Sequence, residues 1–310
     1  MSDFVHKPVL LSEVLSALKP EAEGRYVDGT TGGAGHAEAI LEASSPTGWL
    51  SGCDRDYDAV EAATARLSKL YAGRFEIRHM AFDQLAMWMP SESCDGVLLD
   101  LGVSSPQLDR AERGFSFQAD GPLDMRQDRK QKLTAAELLN TASAEELAKI
   151  FWEYGDERDS RRFAKAIVMD RETAKFRTTL QLAELVERLS PRAGRKAHPA
   201  TRVFQALRIA VNDEVGQLSR GLQAALSVLR PGGRLAVITF HSLEDRIVKD
   251  FGRNMARDYE FDGPVDAPGL RRPRKPVVGL VTRKAVLPGE RELAENPRSR
   301  SAQLRVMEKL

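Results

Sequence analysis

The sequence predicts a doubly wound α/β fold that carries an inserted all-helical domain. In the first hundred residues, short apolar segments that often end on an acid alternate with amphipathic segments of helical spacing. Such alternation is typical of βαβ units and a parallel sheet. Residues 134–190 then show helical patterns without a strand pattern, and the alternation resumes near residue 213. We therefore expect a Rossmann-like domain from residues 1–110 and 213–310, with a helical domain of residues 111–212 between its fourth and fifth strands.

The individual elements follow from local patterns. Apolar runs of strand length predict five strands and a closing strand, and the run before Asp100 is apolar throughout, as in a strand buried on both faces. The predicted strands are Arg25–Asp28, Trp49–Asp54, Phe75–His79, Gly96–Asp100, Arg234–Phe240 and Ala302–Met307. Apolar residues three and four positions apart predict helices at 9–18, 36–43, 56–70, 178–189, 213–229 and 243–255. The capping-box spacings of Thr134 with Glu137 and of Ser143 with Glu146 predict two more helix starts. Residues 262–300, rich in Pro, Gly and Arg, are expected to be irregular.

Composition narrows the class of protein. The chain is 42% hydrophobic and 29% charged, as in soluble globular proteins. No apolar stretch approaches the roughly 18 to 20 residues of a membrane span, and charges interrupt the apolar run at the N-terminus, which makes it a poor signal peptide. Cys53 and Cys94 are too few for a disulfide framework or a zinc site. We expect a cytoplasmic protein without a membrane partner or a bound metal.

Charge is balanced overall but concentrated in two places. The net charge is +1, while residues 188–212 and 271–284 each hold six basic residues and no acidic one. Two such segments on a neutral chain suit a local contact with a polyanion, although solvated loops explain them equally well. The basic residues of the first segment are Arg188, Arg192, Arg195, Lys196, Arg202 and Arg208.

A glycine-rich turn and an acid point to an adenosine cofactor. The turn Asp28-Gly-Thr-Thr-Gly-Gly-Ala-Gly35 joins the first strand to a helix and lacks the Lys-Ser/Thr ending of a phosphate-binding P-loop. Asp54 ends the second strand about 20 residues further on, where an acid bonds the hydroxyls of a ribose. The competing interpretation is that Asp54 caps the next helix. The cofactor is NAD or S-adenosylmethionine, and the loose glycine turn favours the second.

The loop after the fourth strand suits chemistry on an exocyclic amine. Asp100-Leu-Gly-Val-Ser-Ser-Pro-Gln107 faces the ligand crevice of a doubly wound sheet. Hydrogen-bond acceptors on this loop would favour the pyramidal form of an amine, which is the form that attacks a methyl group. The alternative interpretation is that the loop is an ordinary connection from a strand to a capped helix. Methylation of a ring carbon needs a cysteine on this loop, and neither cysteine lies on it. Ser104, Ser105 and His241 are candidates for the proton acceptor by position only, and His241 is equally readable as a structural cap.

Together these segments closely resemble the RsmH (MraW) family of bacterial 16S ribosomal RNA cytosine-N4 methyltransferases. The resemblance spans nearly the whole chain. The matching segments are His6–Leu11, Asp28–His36, Asp54–Asp56, Asp100–Asp109, Arg113–Phe117, Gly121–Arg126, His198–Arg208, Phe240–Lys249 and Asn296–Ser301.

The resemblance implies a class I methyltransferase fold, S-adenosylmethionine as methyl donor, and a cytidine in the decoding centre of the small subunit as target. It further implies that the helical insert binds RNA, so that we expect Arg192, Arg195, Lys196 and Arg202 to contact it. Two departures are Ala34, where the family usually has glycine, and Gln127, where methionine is usual. The implied cofactor residues are Ala34, Gly35, His36, Asp54, Phe82, Asp100 and Gln107.

Two other functions stay open at this point. A DNA amine methyltransferase usually carries an Asn/Asp-Pro-Pro-aromatic tetrad after the fourth strand, where this chain has Asp100-Leu-Gly-Val. A ribosome-assembly factor with a vestigial cofactor pocket is disfavoured by intact Gly35, Asp54 and Asp100. The pattern leaves open whether the protein is a homodimer and whether free RNA or an assembled subunit is the substrate.

Overall fold

The computed structural model describes residues 8–191, 198–261 and 266–310. Contacts divide the chain into two compact units, with the divisions after Gly102 and after Val215. The sequence pattern predicts these divisions after residues 110 and 212. The helical unit of the structure therefore begins eight residues earlier and ends three residues later than predicted.

The first unit is built on a twisted sheet with a mostly parallel core. In the described residues the sheet has seven strands in the order β3-β2-β1-β4-β5-β9-β8. Strands β1 to β5 pair in parallel, while β9 runs antiparallel between β5 and β8. The strands of this sheet are β1 (Arg25–Asp28), β2 (Trp49–Asp54), β3 (Phe75–His79), β4 (Cys94–Asp100), β5 (Leu229–Thr239), β8 (Val278–Leu280) and β9 (Gln303–Lys309). A separate antiparallel pair is formed by β6 (Tyr259–Phe261) and β7 (Arg271–Pro273). The order reverses between β1 and β4, which makes that position the switch point of a doubly wound sheet and confirms the predicted fold class.

Both faces of the sheet are covered, as β4 shows. Leu98 belongs to one apolar cluster, whereas Val97 and Leu99 belong to the cluster on the other face, and all three are fully buried. This arrangement explains why β4 reads as an uninterrupted apolar run. The helices of this part of the chain are α1 (Leu11–Leu18), α2 (Gly35–Ala43), α3 (Tyr57–Leu67), α4 (Leu85–Trp88), α11 (Glu214–Val228), α12 (Ser242–Met255) and α13 (Glu290–Glu295).

The structure departs from the predicted elements in three places. Cys94 is the first residue of β4 rather than a residue before it, because it pairs with Leu229 ahead of a register shift. The same pairing starts β5 at Leu229, so the Arg-Pro-Gly-Gly turn lies within the strand. The segment expected to be irregular contains β7, β8 and α13 in its described part. These elements are three to six residues long, which is too short for a periodic pattern to predict them.

The second unit is helical, as the sequence predicts. Its core joins aromatic and aliphatic side chains from all of its longer helices, among them Phe151, Phe163 and Leu182. Both predicted capping boxes are present, at Thr134 with Glu137 and at Ser143 with Glu146. The helices are α5 (Ser105–Asp109), α6 (Ala135–Thr141), α7 (Ala144–Gly155), α8 (Ser160–Thr173), α9 (Thr179–Leu189) and α10 (Ala200–Asn212). Within the described residues, no helix of either unit has the length and apolarity needed to cross a bilayer.

One buried amide ties the loop before α6 to the end of α10. The Asn212 side chain is 1% exposed, and its Oδ1 accepts a hydrogen bond from the Gln127 N–H at 2.9 Å. Its Nδ2 donates to the carbonyls of Met125 at 2.7 Å and Arg208 at 2.9 Å. The side chain thereby satisfies backbone groups of a loop 85 residues away in sequence.

Replacing this amide should be costly. Asn212→Ala leaves the Gln127 N–H and the Met125 carbonyl buried without these partners, and such groups cost about 1 to 3 kcal/mol each. We expect Asn212→Ala to lower the free energy of unfolding by roughly 2 to 4 kcal/mol, measured by urea denaturation. Asn140→Ala, which removes a half-buried amide from the Phe176 backbone, is the matched control and should cost less. Equal losses in the two variants would contradict a special role for Asn212.

Candidate active site at the carboxyl edge of the sheet

Three aspartates end neighbouring strands at the switch point. Asp28, Asp54 and Asp100 are the last residues of β1, β2 and β4, and β1 pairs with both of the other strands. Because parallel strands end at the same edge, their carboxyl groups lie around one crevice. The structure thus brings together the two acids that the sequence predicts as site residues and adds Asp28.

Asp54 is held in place by backbone donors. Its Oδ2 accepts a hydrogen bond from the Gly32 N–H at 2.9 Å, and its Oδ1 accepts one from the Asp56 N–H at 2.8 Å. Gly32 has φ +49°, a left-handed conformation that suits glycine and turns its N–H toward the acid. Asp56, not Asp54, is the cap of α3, since its side chain accepts from the Asp58 N–H. The competing cap interpretation therefore applies to the neighbouring acid, and each Asp54 oxygen keeps a lone pair for a ligand.

Asp100 carries a buried oxygen without a hydrogen bond. Among the described residues nothing bonds its Oδ1, which is shielded from solvent. Its Oδ2 lies 3.6 Å from Nδ1 of His36, and its own N–H donates to Oγ1 of Thr30 at 2.6 Å. Buried polar atoms normally have a partner, so this oxygen is available to a donor supplied by a ligand.

His36 links the glycine turn to the N-terminal segment. It is buried in the first turn of α2, and its Nε2 lies 2.9 Å from the Val9 carbonyl, to which it can only donate. This bond fixes the ring so that Nδ1 points toward Asp100. The residue predicted as a cofactor ligand therefore lies with its Nδ1 3.6 Å from the Asp100 carboxyl group.

Burial makes all three carboxyl groups reluctant to ionise. Loss of hydration, together with the nearby Asp54 charge, raises the pKa of Asp28 to about 7 against the opposing hydrogen bonds from Thr30. Burial raises the pKa of Asp54 to about 6 against the opposing effect of its two backbone donors. Burial, with the charges of Asp28 and Glu244, holds the pKa of Asp100 well above its usual range. A ligand that donates hydrogen bonds or carries positive charge would relieve this cost.

The turn accepts the unusual residue at position 34. Ala34 precedes α2 in a left-handed conformation, φ +62°, where L-residues other than glycine are strained. Its methyl group is fully buried in the cluster that contains Ala37 and Ile40. Burial of the methyl group offsets part of the strain, which is how alanine replaces the usual glycine. Gly35 is needed for close approach, since a Cβ there would lie 3.0 Å from Cγ of Pro8.

Phe82 packs on a helix at the same edge. It follows β3 as the first residue of a short 3-10 helix, Phe82–Gln84, and its ring is half-buried. A Cβ at Gly221 of α11 would lie 2.2 Å from the ring, so glycine at that position makes room for it. This contact is ordinary core packing, and because Phe82 is only half-buried, part of its ring is available to a flat ligand.

Gln107, Ser104 and His241 have structural contacts. In the second unit, Oε1 of Gln107 accepts from the Ser104 N–H at 3.0 Å at the start of α5. This is the capping-box contact that a Ser-x-x-Gln spacing favours, whereas the sequence analysis assigns Gln107 only a role in cofactor binding. In the first unit, His241 caps α12: its Nδ1 accepts from the Glu244 N–H at 3.4 Å, and its Nε2 lies 3.1 Å from Glu244 Oε1. The cap interpretation of His241 therefore describes its geometry.

The structure describes only some of the basic residues that the sequence predicts to contact a polyanion. Arg192, Arg195 and Lys196 lie outside the described residues. Arg202 donates to the Asp156 carbonyl at 2.8 Å from an exposed position on α10. Arg208, in contrast, pairs with Glu214 at 2.8 Å in a mostly buried contact. Arg208 is thus used within the unit.

The side chains at this edge fit an adenosine cofactor. Asp54 presents two oriented carboxylate oxygens, Asp100 presents an Oδ1 that has no hydrogen bond among the described residues, and Phe82 presents part of its ring. A Cβ at Gly33 would meet nothing within 4 Å, so the turn is open at that point. These are acceptors and an apolar surface, which suits a ligand rich in hydroxyl and amino donors.

Asp28 should make stability depend on pH. Its folded pKa of about 7 lies above the value of about 3.9 for an unfolded chain, so its stabilising contribution is full below pH 4 and is lost as the pH rises through 7. Asp28→Asn keeps an acceptor for the Thr30 N–H but does not ionise. Relative to the unsubstituted protein, the variant should gain roughly 3 to 4 kcal/mol between pH 4.5 and 8, measured by urea denaturation. The exposed Asp250→Asn is the control, and a pH-independent difference for Asp28→Asn would contradict the assignment.

Comparison with known proteins identifies the family. The family model described as the MraW methylase family matches residues 3–310. A "Ribosomal RNA small subunit methyltransferase H" of Geobacter sp. (strain M21) is 51% identical over 100% of both chains, and one of Magnetococcus marinus is 48% identical over 99% of both. An rRNA methylase structure from Streptococcus thermophilus has a TM-score of 0.41 at 12% identity over 99% of each chain. The chain belongs to the MraW methylase family and is an S-adenosylmethionine-dependent methyltransferase.

Proposed function

We propose that the protein transfers a methyl group from S-adenosylmethionine to the exocyclic N4 of a cytidine in the decoding centre of 16S ribosomal RNA. Full-length relatives at about half identity carry the name of a small-subunit ribosomal RNA methyltransferase, which supports the RNA as substrate. The substrate would be met within the small ribosomal subunit in the cytoplasm. The RNA-binding role of residues 111–212 is part of this proposal.

The residues of the carboxyl edge would hold the cofactor. Asp54 would accept hydrogen bonds from the ribose hydroxyls, for which its two backbone donors fix its orientation. Asp100 would accept a donor of the cofactor through Oδ1, which has no hydrogen bond among the described residues, while the Thr30 hydroxyl holds the Asp100 backbone. Phe82 would pack on the adenine.

The chemistry would be a direct transfer. S-adenosylmethionine supplies a sulfonium methyl group, whose sulfur is already a good leaving group. N4 would take the methyl group as the carbon–sulfur bond breaks, S-adenosylhomocysteine would leave, and the displaced N4 proton would pass to solvent. The protein's contribution would then be positioning and electrostatic stabilisation. The capping contacts of His241 leave its Nδ1 engaged, which disfavours it as the proton acceptor.

The burial of both thiols favours nitrogen over a ring carbon, and this observation carries the proposal. Cys53 is fully buried, its Sγ donates to the Gly29 carbonyl at 3.5 Å, and burial raises the pKa of its thiol well above the ordinary value. Cys94 begins β4, at the opposite end of the strand from Asp100, and burial raises its pKa also. A buried, protonated thiol is a poor nucleophile, so neither cysteine suits attack on the cytosine ring.

Removing the Asp54 carboxylate should weaken cofactor binding. Hydrogen bonds to a charged group contribute about 1 to 3 kcal/mol, so Asp54→Ala should raise the Kd for S-adenosylmethionine about 10- to 100-fold in isothermal calorimetry. Asp54→Asn retains one oxygen acceptor and should lose less, although its NH2 group faces one of the two backbone donors. Urea denaturation of both variants separates ribose binding from a folding defect. Wild-type affinity in both variants would contradict the ribose assignment.

The product and the cysteines test the reaction itself. Nucleoside mass spectrometry of small subunits and of free 16S RNA, each incubated with enzyme and S-adenosylmethionine, should detect N4-methylcytidine. Cys53→Ser and Cys94→Ser should keep turnover within about threefold because neither thiol reacts. Formation of 5-methylcytidine, or loss of activity in a folded cysteine variant, would contradict the proposed reaction. Cofactor binding without methylation of either RNA would indicate another substrate.

A further inference from the structure

A basic pocket lies between α12 and the strands at one edge of the sheet in the first unit. It has an empty volume of about 270 Å³, part of which is open to solvent. Among the described residues that line it, four are cations and none is an acid. The cations are Lys249 and Arg253 on α12, Arg283 in the loop after β8, and Arg305 on β9. We call this feature the α12 pocket.

Three of the four cations have no bound acid. Arg305 is paired, since its Nε donates to Oδ1 of Asp245 at 2.6 Å and its Nη2 donates to Oδ2 at 3.0 Å. Within residues 8–191, 198–261 and 266–310, the side chains of Lys249, Arg253 and Arg283 form no hydrogen bond or ion pair. The pocket therefore holds three positive charges that no ion pair neutralises in that part of the chain.

The acids of α12 that are nearest to these cations lie outside the pocket lining. Asp245 is engaged by Arg305, and Asp250 is exposed and has no ion pair in the part of the chain that the structure describes. Lys249 and Arg253 are four residues apart and so lie on one face of the helix. A concave surface lined by one sign of charge focuses the field and attracts ions of the opposite sign. The α12 pocket thus favours an anion.

The pocket has a firm apolar floor. Val248 and Met307 are 0% and 2% exposed. A Cβ at Gly252 would lie 2.9 Å from Sδ of Met307 and 3.2 Å from Cδ2 of Leu280, so this glycine lets α12 lie close against β8 and β9. The cations are therefore carried by packed elements, which lowers the conformational cost of bringing them around a ligand.

The loop that carries Arg283 is anchored by Thr282. The Val306 N–H donates to Oγ1 of Thr282 at 2.9 Å, and the Thr282 N–H donates to the Val306 carbonyl at 3.2 Å. The Thr282 hydroxyl also lines the pocket, and its hydrogen has no acceptor among the described residues. A hydroxyl that accepts one bond keeps its hydrogen for another partner, so Thr282 adds a donor to the site.

The second basic segment of the sequence, residues 271–284, does not form one continuous surface for a polyanion. Arg271 pairs with Asp266 at 2.7 Å, and Arg274 donates to the Arg257 carbonyl at 3.3 Å. Arg283 makes no such contact within the described ranges. Since Arg283 lies in a loop, it does not serve to complement the end of a helix, as a cation in the last turn of α12 does.

We propose that the α12 pocket binds a phosphate group. The guanidinium groups of Arg253 and Arg283 match the geometry of phosphate oxygens, the Lys249 ammonium adds a third charge, and the Thr282 hydroxyl adds a neutral donor. Free phosphate, a mononucleotide and a nucleic-acid backbone share this chemistry, and competition between them identifies the source.

This site is distinct from the crevice that holds the three aspartates. In the strand order, β5 and β9 lie between β4 and β8, so the pocket is at the far edge of the sheet from β1 and β2. The inference is independent of the proposed function, because it assigns no role in methyl transfer and does not depend on the target nucleoside.

The test compares two variants that lose the same charge. The pocket variant is Lys249→Gln/Arg253→Gln/Arg283→Gln. The control removes three exposed lysines of the first unit that do not line the pocket and have no ion pair in the described ranges, and it is Lys19→Gln/Lys69→Gln/Lys275→Gln. Binding of inorganic phosphate is measured by phosphorus NMR titration, and urea denaturation shows that each variant is folded.

We expect one saturable phosphate site in the wild type and in the control. An exposed charge pair changes an equilibrium constant by a factor of up to about five, so the pocket variant should raise the Kd for phosphate about tenfold or more. Arg283→Gln alone should raise it about two- to fivefold. This single change removes no described contact, so it keeps the test valid if the triple variant fails to fold.

Competition separates the sources of the phosphate group. If the ligand is a nucleic-acid backbone, single-stranded oligouridylate should displace phosphate at lower nucleotide concentrations than uridine monophosphate does, and added salt should weaken this displacement steeply. Equal displacement per nucleotide would assign a small phosphorylated ligand.

Equal phosphate affinity in the pocket variant and the control would overturn the inference, as would the absence of a saturable site in the wild type. Nitrate binding as tight as phosphate binding would also overturn it, in favour of a general positive surface. Each of these results would leave the proposed methyl transfer untouched, while failure of methyl transfer would leave the phosphate site intact.

Discussion

Burial of three carboxyl groups at one edge of the sheet is the constraint on which the candidate site depends. Asp28, Asp54 and Asp100 end adjoining strands, and burial raises the pKa of each. Backbone N–H groups offset part of this cost at Asp28 and Asp54. At Asp100, Oδ1 has no such partner among the described residues. Binding of a ligand with hydrogen-bond donors or positive charge would therefore favour the ionised form of these carboxyl groups.

The surrounding packing keeps these groups in register. Strand β4 is buried on both faces, which fixes where its last residue stands. The Thr30 hydroxyl accepts a hydrogen bond from the Asp100 N–H, and the His36 ring lies beside the Asp100 side chain from the first turn of α2. Gly221 allows Phe82 to pack against α11. The site is thus assembled from the ends of rigid elements, which suits a reaction that depends on positioning.

The parallel sheet was predictable because its information is local. The strands show as short apolar or alternating segments, three of the parallel strands end on an acid, and the capping boxes of α6 and α7 are visible as spacings. The features that the sequence does not predict are contacts between distant parts of the chain and very short elements. The contact between Asn212 and Gln127 spans 85 residues, and β8 has only three. Likewise, only the folded chain shows that Oδ1 of Asp100 lacks a partner, since this depends on every element packed around it.

Proton release on cofactor binding tests most directly whether these carboxyl groups form the site. At pH 6.5, S-adenosylmethionine binding is measured by calorimetry in phosphate and in imidazole buffer, whose ionisation enthalpies differ. A cationic, donor-rich ligand lowers the pKa of Asp54 and Asp100, so binding should release protons and the enthalpies should differ between buffers. Asp100→Asn should reduce that difference. Identical enthalpies in the two buffers, together with unchanged affinity in Asp100→Asn, would contradict the account.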